Sequence, residues 1–281
     1  MTVGLGFLTV DRRAFPPGNP PADVQGCCMR TGWRTALFTG TLVVTLSVAL
    51  FAQRGGGFGG FRTPQVSNVP YNGLFTFTRL RYNSGSFGRG NQSWNHDYPQ
   101  ADTHLPLILD AITALKSNLN VSNILDLEDP EIFKNPILYM WEPGFWRVTD
   151  AGAENLRNYM HKGGFVMFDD FEAANWYNFE AQFRKALPDA QFIRLDATHP
   201  IFHAFFEIDR IDVPHPTMRV TPEYYGVFEN NDPRGRMLAL ANYNSDIAEY
   251  WEWSGEGLFP VDTTNEAYKL GVNYFIYGLT H

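Results

Sequence analysis

Two adjacent aspartates, Asp169 and Asp170, close the run GGFVMFDDF over residues 163–171. A carboxylate pair of this kind can provide a metal ligand, a general base or a nucleophile, because each charge shifts the pKa of the other. Neighbours on an extended strand point to opposite faces, so the pair converges only at a turn. Otherwise one carboxylate caps the next helix and the other accepts backbone amides. A second group, His96, Asp97, Asp102 and His104, has the side-chain types that hold a divalent ion. Its spacing matches no standard zinc pattern, and His104 also suits the first turn of a helix. His199 and His203 stand four apart, as paired zinc ligands on a helix do, but Pro200 puts His199 at a cap and the HExxH glutamate is missing. Glu249 and Glu252, beside Trp251 and Trp253, either join a carboxylate pair or lie on a solvated helix face. Trp94, Trp141, Trp146, Trp176, Trp251 and Trp253 have rings that suit sugar faces or core packing equally, and Trp94, Trp146 and Trp176 are the best placed for a cleft.

These residues yield one set of site expectations. Asp169, Asp170 and Asp97 are the catalytic candidates. Trp94, His96, His104, Glu142, Trp146, Trp176 and His199 are the ligand-binding candidates. No metal or other cofactor is assigned; a divalent ion would draw on His96, Asp102 and His104.

The elements that must position them follow from periodicity and turn residues. Strands are predicted at Leu74 to Tyr82, Val121 to Leu127, Pro136 to Trp141, Phe165 to Phe168 and Gln191 to Leu195. Tyr224 to Phe228 and Arg236 to Tyr243 read as a hairpin pair around NNDPRG. Helices are predicted at Thr103 to Leu119, with Pro106 in its first turn, and from Asp150, as cap, to Gly163. Further helices are expected at Trp176 to Leu187 and Asn265 to Leu279. Strands alternating with helices predict an α/β fold with a mostly parallel central sheet and helices on both faces. The acidic end of the Phe165 strand then falls at the carboxyl edge of the sheet, where ligands bind in such folds. The polar stretch from Asn83 to Asp102 reads as a functional or lid-like loop.

Composition narrows the classes. Of 281 residues, 44% are hydrophobic and 15% aromatic, which excludes disorder. The formal net charge is -8. Residues 1–54 hold five arginines against two aspartates, so the remainder carries -11. Such a body repels phosphate backbones and excludes nucleic acid as a partner. Arg30 and Arg34 precede the apolar run Thr35 to Ala52, the layout of a signal peptide cleaved after Ala52, with an uncleaved membrane anchor as the alternative. Translation is expected to start at Met29. The chain therefore divides into residues 1–52 (extension and leader), a Gly-rich linker over 53–70 and one α/β domain over 71–281. The location is exported and extracytoplasmic, with membrane contact only through the leader. Both cysteines, Cys27 and Cys28, precede the leader's apolar run, so the exported body has no thiol nucleophile or Cys-ligated metal.

The strings WNHDYPQADTHLP, EPGFWRVTDAGAENLRNYMHKGGFVMFDDF, HPIFHAFFEI and KLGVNYFIYGLTH together resemble the bacterial domain of unknown function 4159 family, over Leu74 to His281. The resemblance implies a flavodoxin-like three-layer sandwich similar to class I glutamine amidotransferases, and HPIFHAFF is also similar to a motif of the trehalose-utilisation (ThuA-like) proteins. In glutamine amidotransferases a nucleophilic Cys occupies the elbow after a strand. Asp169 and Asp170 hold that slot here, which excludes glutaminase chemistry. The resemblance also implies a genomic setting near AAA ATPases and von Willebrand factor A-like proteins.

Three functions are expected from this reading. The first is an envelope domain that binds a ligand, a glycan or cell-wall fragment foremost, or a protein partner. The second is a hydrolase using Asp169 or Asp170 with His96, His104 or His199, with or without a metal. The third is a docking component of an ATPase-type assembly.

Overall fold

The computed structural model describes residues 68–84 and 93–281. The predicted leader, the linker up to residue 67 and both cysteines lie outside them. Among the described residues no helix is long and apolar enough to cross a membrane.

Seven strands form one mixed, mostly parallel sheet: β1 (Phe75–Arg81), β2 (Ser117–Asp126), β3 (Ile137–Trp141), β4 (Phe165–Phe171), β5 (Ile193–Leu195), β6 (Glu223–Phe228) and β7 (Met237–Tyr243). Their order is β2-β1-β3-β4-β7-β6-β5. The pairs from β2 across to β7 are parallel, and β6 and β5 continue antiparallel. The central strands explain their sequences: ILYMW of β3 is buried throughout, as a parallel strand covered on both faces requires. Alternate residues of β3 enter two clusters. Ile137, Tyr139 and Trp141 pack with helices α1 (Gln100–Ile112) and α5 (Val261–Thr280), whereas Leu138 and Met140 pack with α2 (Asp150–His161) and α3 (Asn175–Ala186).

Several boundaries depart from the sequence reading. Helix α1 begins three residues early and stops at Ile112, because Thr113 turns back and both its N–H and its hydroxyl bond the Leu109 carbonyl. Leu115 and Leu119 therefore leave the helical face; Leu119 sits in β2, whose pairing with β1 begins at Ser117. With the helix starting at Gln100, Pro106 is in its interior, where it forfeits the bond its nitrogen would make to the Asp102 carbonyl. The cap of α2 is Thr149, whose hydroxyl accepts the Gly152 N–H at 3.0 Å; Asp150 is the first helical residue and complements the dipole there. Strand β4 runs three residues beyond Phe168 and takes both aspartates into the sheet. A short helix, α4 (Ala248–Glu252), follows β7.

Candidate functional site

The end of β4 carries one extra residue relative to β7: Phe168 pairs with Ala241, but Phe171 pairs with Tyr243. Such a bulge re-aims side chains at a strand end. Asp170 occupies it with φ 59°, a left-handed conformation unusual for a residue with a side chain, and its N–H is held by the Ser245 carbonyl at 3.0 Å. The two aspartates part company here. Asp169 is fully buried and accepts from Tyr139 Oη (2.7 Å), Asn242 Nδ2 (3.1 Å), Ile247 N (3.1 Å) and Ala248 N (3.3 Å). It caps α4 and has no free oxygen for chemistry. Burial raises its carboxyl to about 6, an effect the Tyr139 hydrogen bond partly offsets. Asp170 instead faces a cavity.

The segment carrying His96 reaches that cavity because a buried arginine holds it. Arg79 of β1 is wholly buried and pairs bidentately with Asp102 (2.6 and 3.2 Å). It also donates to the carbonyls of Trp94 (2.8 Å) and His96 (2.7 Å), and its guanidinium stacks 3.4 Å above the Trp141 ring. The loop is thus pinned outside the carboxyl ends of β1 and β3, the point where strand order reverses and where ligands bind in open α/β sheets. His96 Nδ1 then stands 2.9 Å from Asp170 Oδ2 and 3.1 Å from Asp97 Oδ1. Its hydrogen bond to Asp170, working against burial, raises the imidazole to about 10, so it is an imidazolium at neutral pH.

A cavity of about 530 Å³ opens beside this pair, and its walls are acidic: Glu142, Asp170, Glu172, Asp246 and Glu249, with His96 and His215. Asp97 lies behind His96, 4% exposed, and accepts the Trp141 indole N–H at 2.8 Å. Burial holds Asp97 well above the carboxylate range, with the His96 charge opposing; burial and then Asp170, Asp97 and Asp169 do the same to Asp246. Glu172 is raised by burial and by Asp170. Asp97, Glu142 and Asp170 all have positive φ (59°, 42° and 59°). Glu142 and Asp170 line the cavity and Asp97 stands behind His96, so the strain fits a site that the surrounding structure over-determines. Three groups of three place potential metal-ligand atoms within 4.8 Å of one another in and behind this cavity: His96, Asp97 and Glu249; His96, Glu142 and Asp170; and Asp170, Glu172 and His215, the last lacking a free histidine lone pair while His215 Nδ1 accepts the Thr217 and Met218 N–H groups.

The other predicted residues lie elsewhere. Asp102 is consumed by Arg79. His104 bonds the Trp251 carbonyl at 2.6 Å, between α1 and α4. His199 caps a 3-10 turn and packs on Phe228 and Tyr277, at the far end of the sheet where β6 leads back to the start of β7. His203 pairs with Glu207 rather than with His199. Trp94 and Trp146 are each 1% exposed, and Trp176 is half-buried among Phe171, Phe192, Tyr225 and Tyr243. None of these three offers a free ring face along the cavity. Glu142 does line it, and Glu249 faces it from α4 rather than lying on a solvated face. Arg79, Glu172, His215 and Asp246 were absent from the sequence expectations. Only Arg79 left a signal, as a charge on the face that Phe75 and Phe77 bury.

The family described as "Domain of unknown function (DUF4159)" matches residues 76–279. No curated protein is similar to the chain at a significant level.

Proposed function

The chain belongs to the domain of unknown function 4159 family, a membership that carries no activity, and we propose from the site that this domain is a hydrolase. The observation that carries the reading is His96 Nδ1 lying within hydrogen-bond reach of Asp170 beside the acidic cavity. General acid–base catalysis needs this geometry: one group able to take a proton and one able to give it, side by side. Asp170 accepts the proton of an attacking water, and the His96 imidazolium gives its Nδ1 proton to the leaving group, which leaves Nδ1 able to accept. Asp170 is then protonated and His96 neutral, and a proton passing along their 2.9 Å contact restores both. Asp97, behind the ring, places Oδ1 3.1 Å from the same nitrogen. A metal-assisted variant is favoured by the grouping of His96, Glu142 and Asp170.

The finer fold assignment belongs with this proposal. A flavodoxin-like three-layer sandwich of the amidotransferase-like group is supported by the β2-β1-β3-β4 order and by the two clusters into which β3 divides its side chains. The positive φ of Asp170 supports its equivalence to a nucleophile elbow without the cysteine. We retain export through the 35–52 segment and an extracytoplasmic location as parts of the proposal. Stacking of a glycan on tryptophan loses its support, because Trp94 and Trp146 are core residues.

The test is a panel of chromogenic esters, amides, phosphoesters and glycosides, with and without divalent ions, on the wild type, Asp170→Asn and His96→Asn. Turnover that falls on the order of 100-fold or more in Asp170→Asn, with an unchanged melting profile, is the expected result. No turnover on any class, or equal turnover by Asp170→Asn, overturns the hydrolase.

A further inference from the structure

One wall of the cavity differs in chemistry from the rest. His215 is 7% exposed and lines it. Its Nδ1 accepts the backbone N–H groups of Thr217 and Met218, both at 3.3 Å. A nitrogen that accepts has its lone pair in use, so the proton of the neutral ring is on Nε2. That Nε2 is buried, and no acceptor among the described residues bonds it. A buried donor left unpaired is destabilising, and a ligand acceptor removes that cost on binding. One ring nitrogen of His215 lies within 4.8 Å of a carboxylate oxygen of Asp170 and of Glu172.

Three ligand chemistries can be weighed against this arrangement. A bare divalent cation answers the carboxylates, but an N–H donor cannot ligate it, and His215 stays unmet. A neutral polyol can accept from His215 but brings no counter-charge to an acidic lining in which His96 is the one cation among the described residues. A primary ammonium with a neutral oxygen close by answers both. A free amino acid is disfavoured, since its own carboxylate would face Glu172 and Asp170.

We propose that the cavity binds an α-aminoacyl group, as at the amino end of a peptide, with the ammonium between Asp170 and Glu172 and the adjacent carbonyl oxygen on His215 Nε2–H. The assignment names the substrate class for the hydrolase reading and rests on that reading only for turnover, not for binding. The recognised carbonyl is thereby placed next to Asp170.

Isothermal titration of the full-length protein with Ala-Ala-amide, N-acetyl-Ala-Ala-amide, glucose and manganese chloride tests the inference. Acetylation removes the charge and leaves the carbonyls, so the acetylated form is expected to bind at least about tenfold more weakly. His215→Ala is expected to lose about tenfold for Ala-Ala-amide, and His215→Gln, which keeps an N–H at a similar reach, to retain most of it. Equal binding of the two peptides, binding of manganese without the amide, or glucose binding as tightly as the amide each overturns the proposal. Binding of the amide with no hydrolysis of any α-aminoacyl amide or ester overturns the hydrolase alone. Turnover of N-acylated substrates with no preference for a free amine overturns this inference alone.

Discussion

Replacing Arg79 by methionine tests how the site is held. The substitution keeps an unbranched apolar stem and removes the guanidinium with its charge. It leaves Asp102, 2% exposed, without its bidentate partner, and it strips the Trp94 and His96 carbonyls of their donors. Removing one member of a buried ion pair costs roughly 3–5 kcal/mol, because the surviving charge stays desolvated. The two lost carbonyl bonds add to this, but not independently, since all four bonds converge on one guanidinium. The expected cost is about 4 kcal/mol, a large share of the roughly 5–15 kcal/mol that a domain possesses. Urea unfolding followed by tryptophan fluorescence measures it, with Trp141 under the guanidinium as a local reporter. The double variant Arg79→Met/Asp102→Leu replaces the pair by apolar groups and is expected to regain more than half of the loss. A single variant costing under about 1 kcal/mol, or a double variant falling at the sum of the two singles, would refute the account of Arg79 as the anchor of the His96 loop.

Other consequences follow from the same electrostatics. His96 is raised to about 10 above its ordinary 6.5, so its stabilising contribution is complete below 6.5 and disappears as pH climbs through 10. Because the Asp170 hydrogen bond is the largest cause, NMR titration of Asp170→Asn should find the His96 ring lowered by about one unit or more, and an unmoved value would contradict the pairing. Asp246 has a raised pKa in the fold, so folding favours its protonated form, and that contribution is lost as pH rises through the raised value. Asp246→Asn keeps an oxygen for the Glu249 N–H and is expected to stabilise the protein by about 1 kcal/mol near pH 8 and by little near pH 4, measured by denaturant melts. At Gly144 an added Cβ would lie 2.4 Å from the Asn175 Cβ, so Gly144→Ala should cost about 1–3 kcal/mol and shift the turn that presents Glu142, visible as a lower melting temperature.

Much of the architecture was legible because it rests on local rules. Buried runs such as ILYMW and FVMF mark parallel strands, and their alternation with amphipathic helices predicts the mixed sheet. The errors arose where tertiary contacts overrode local pattern. Leu115 and Leu119 continue the period of α1, but pairing of Ser117 with Phe75 in β1 drew that segment into the sheet. His104 and Asp102 share residue types with His96 and Asp97, but α1 turns them toward Trp251 and Arg79.

The sequence alone determined that the carboxylates stand at the carboxyl edge of a parallel sheet, that no cysteine follows Cys28, and that residues 55–281 are acidic; each depends only on composition and chain order. Which aspartate does chemistry was decided by the tertiary structure. A single extra residue in β4 puts Asp170 into the left-handed region facing His96, while Asp169 turns inward to four donors contributed by three other segments. Likewise Glu142, Asp246, Glu249 and His215 are brought to one cavity by segments far apart in the chain. No spacing in the sequence encodes that meeting, because it depends on the order in which strands pair.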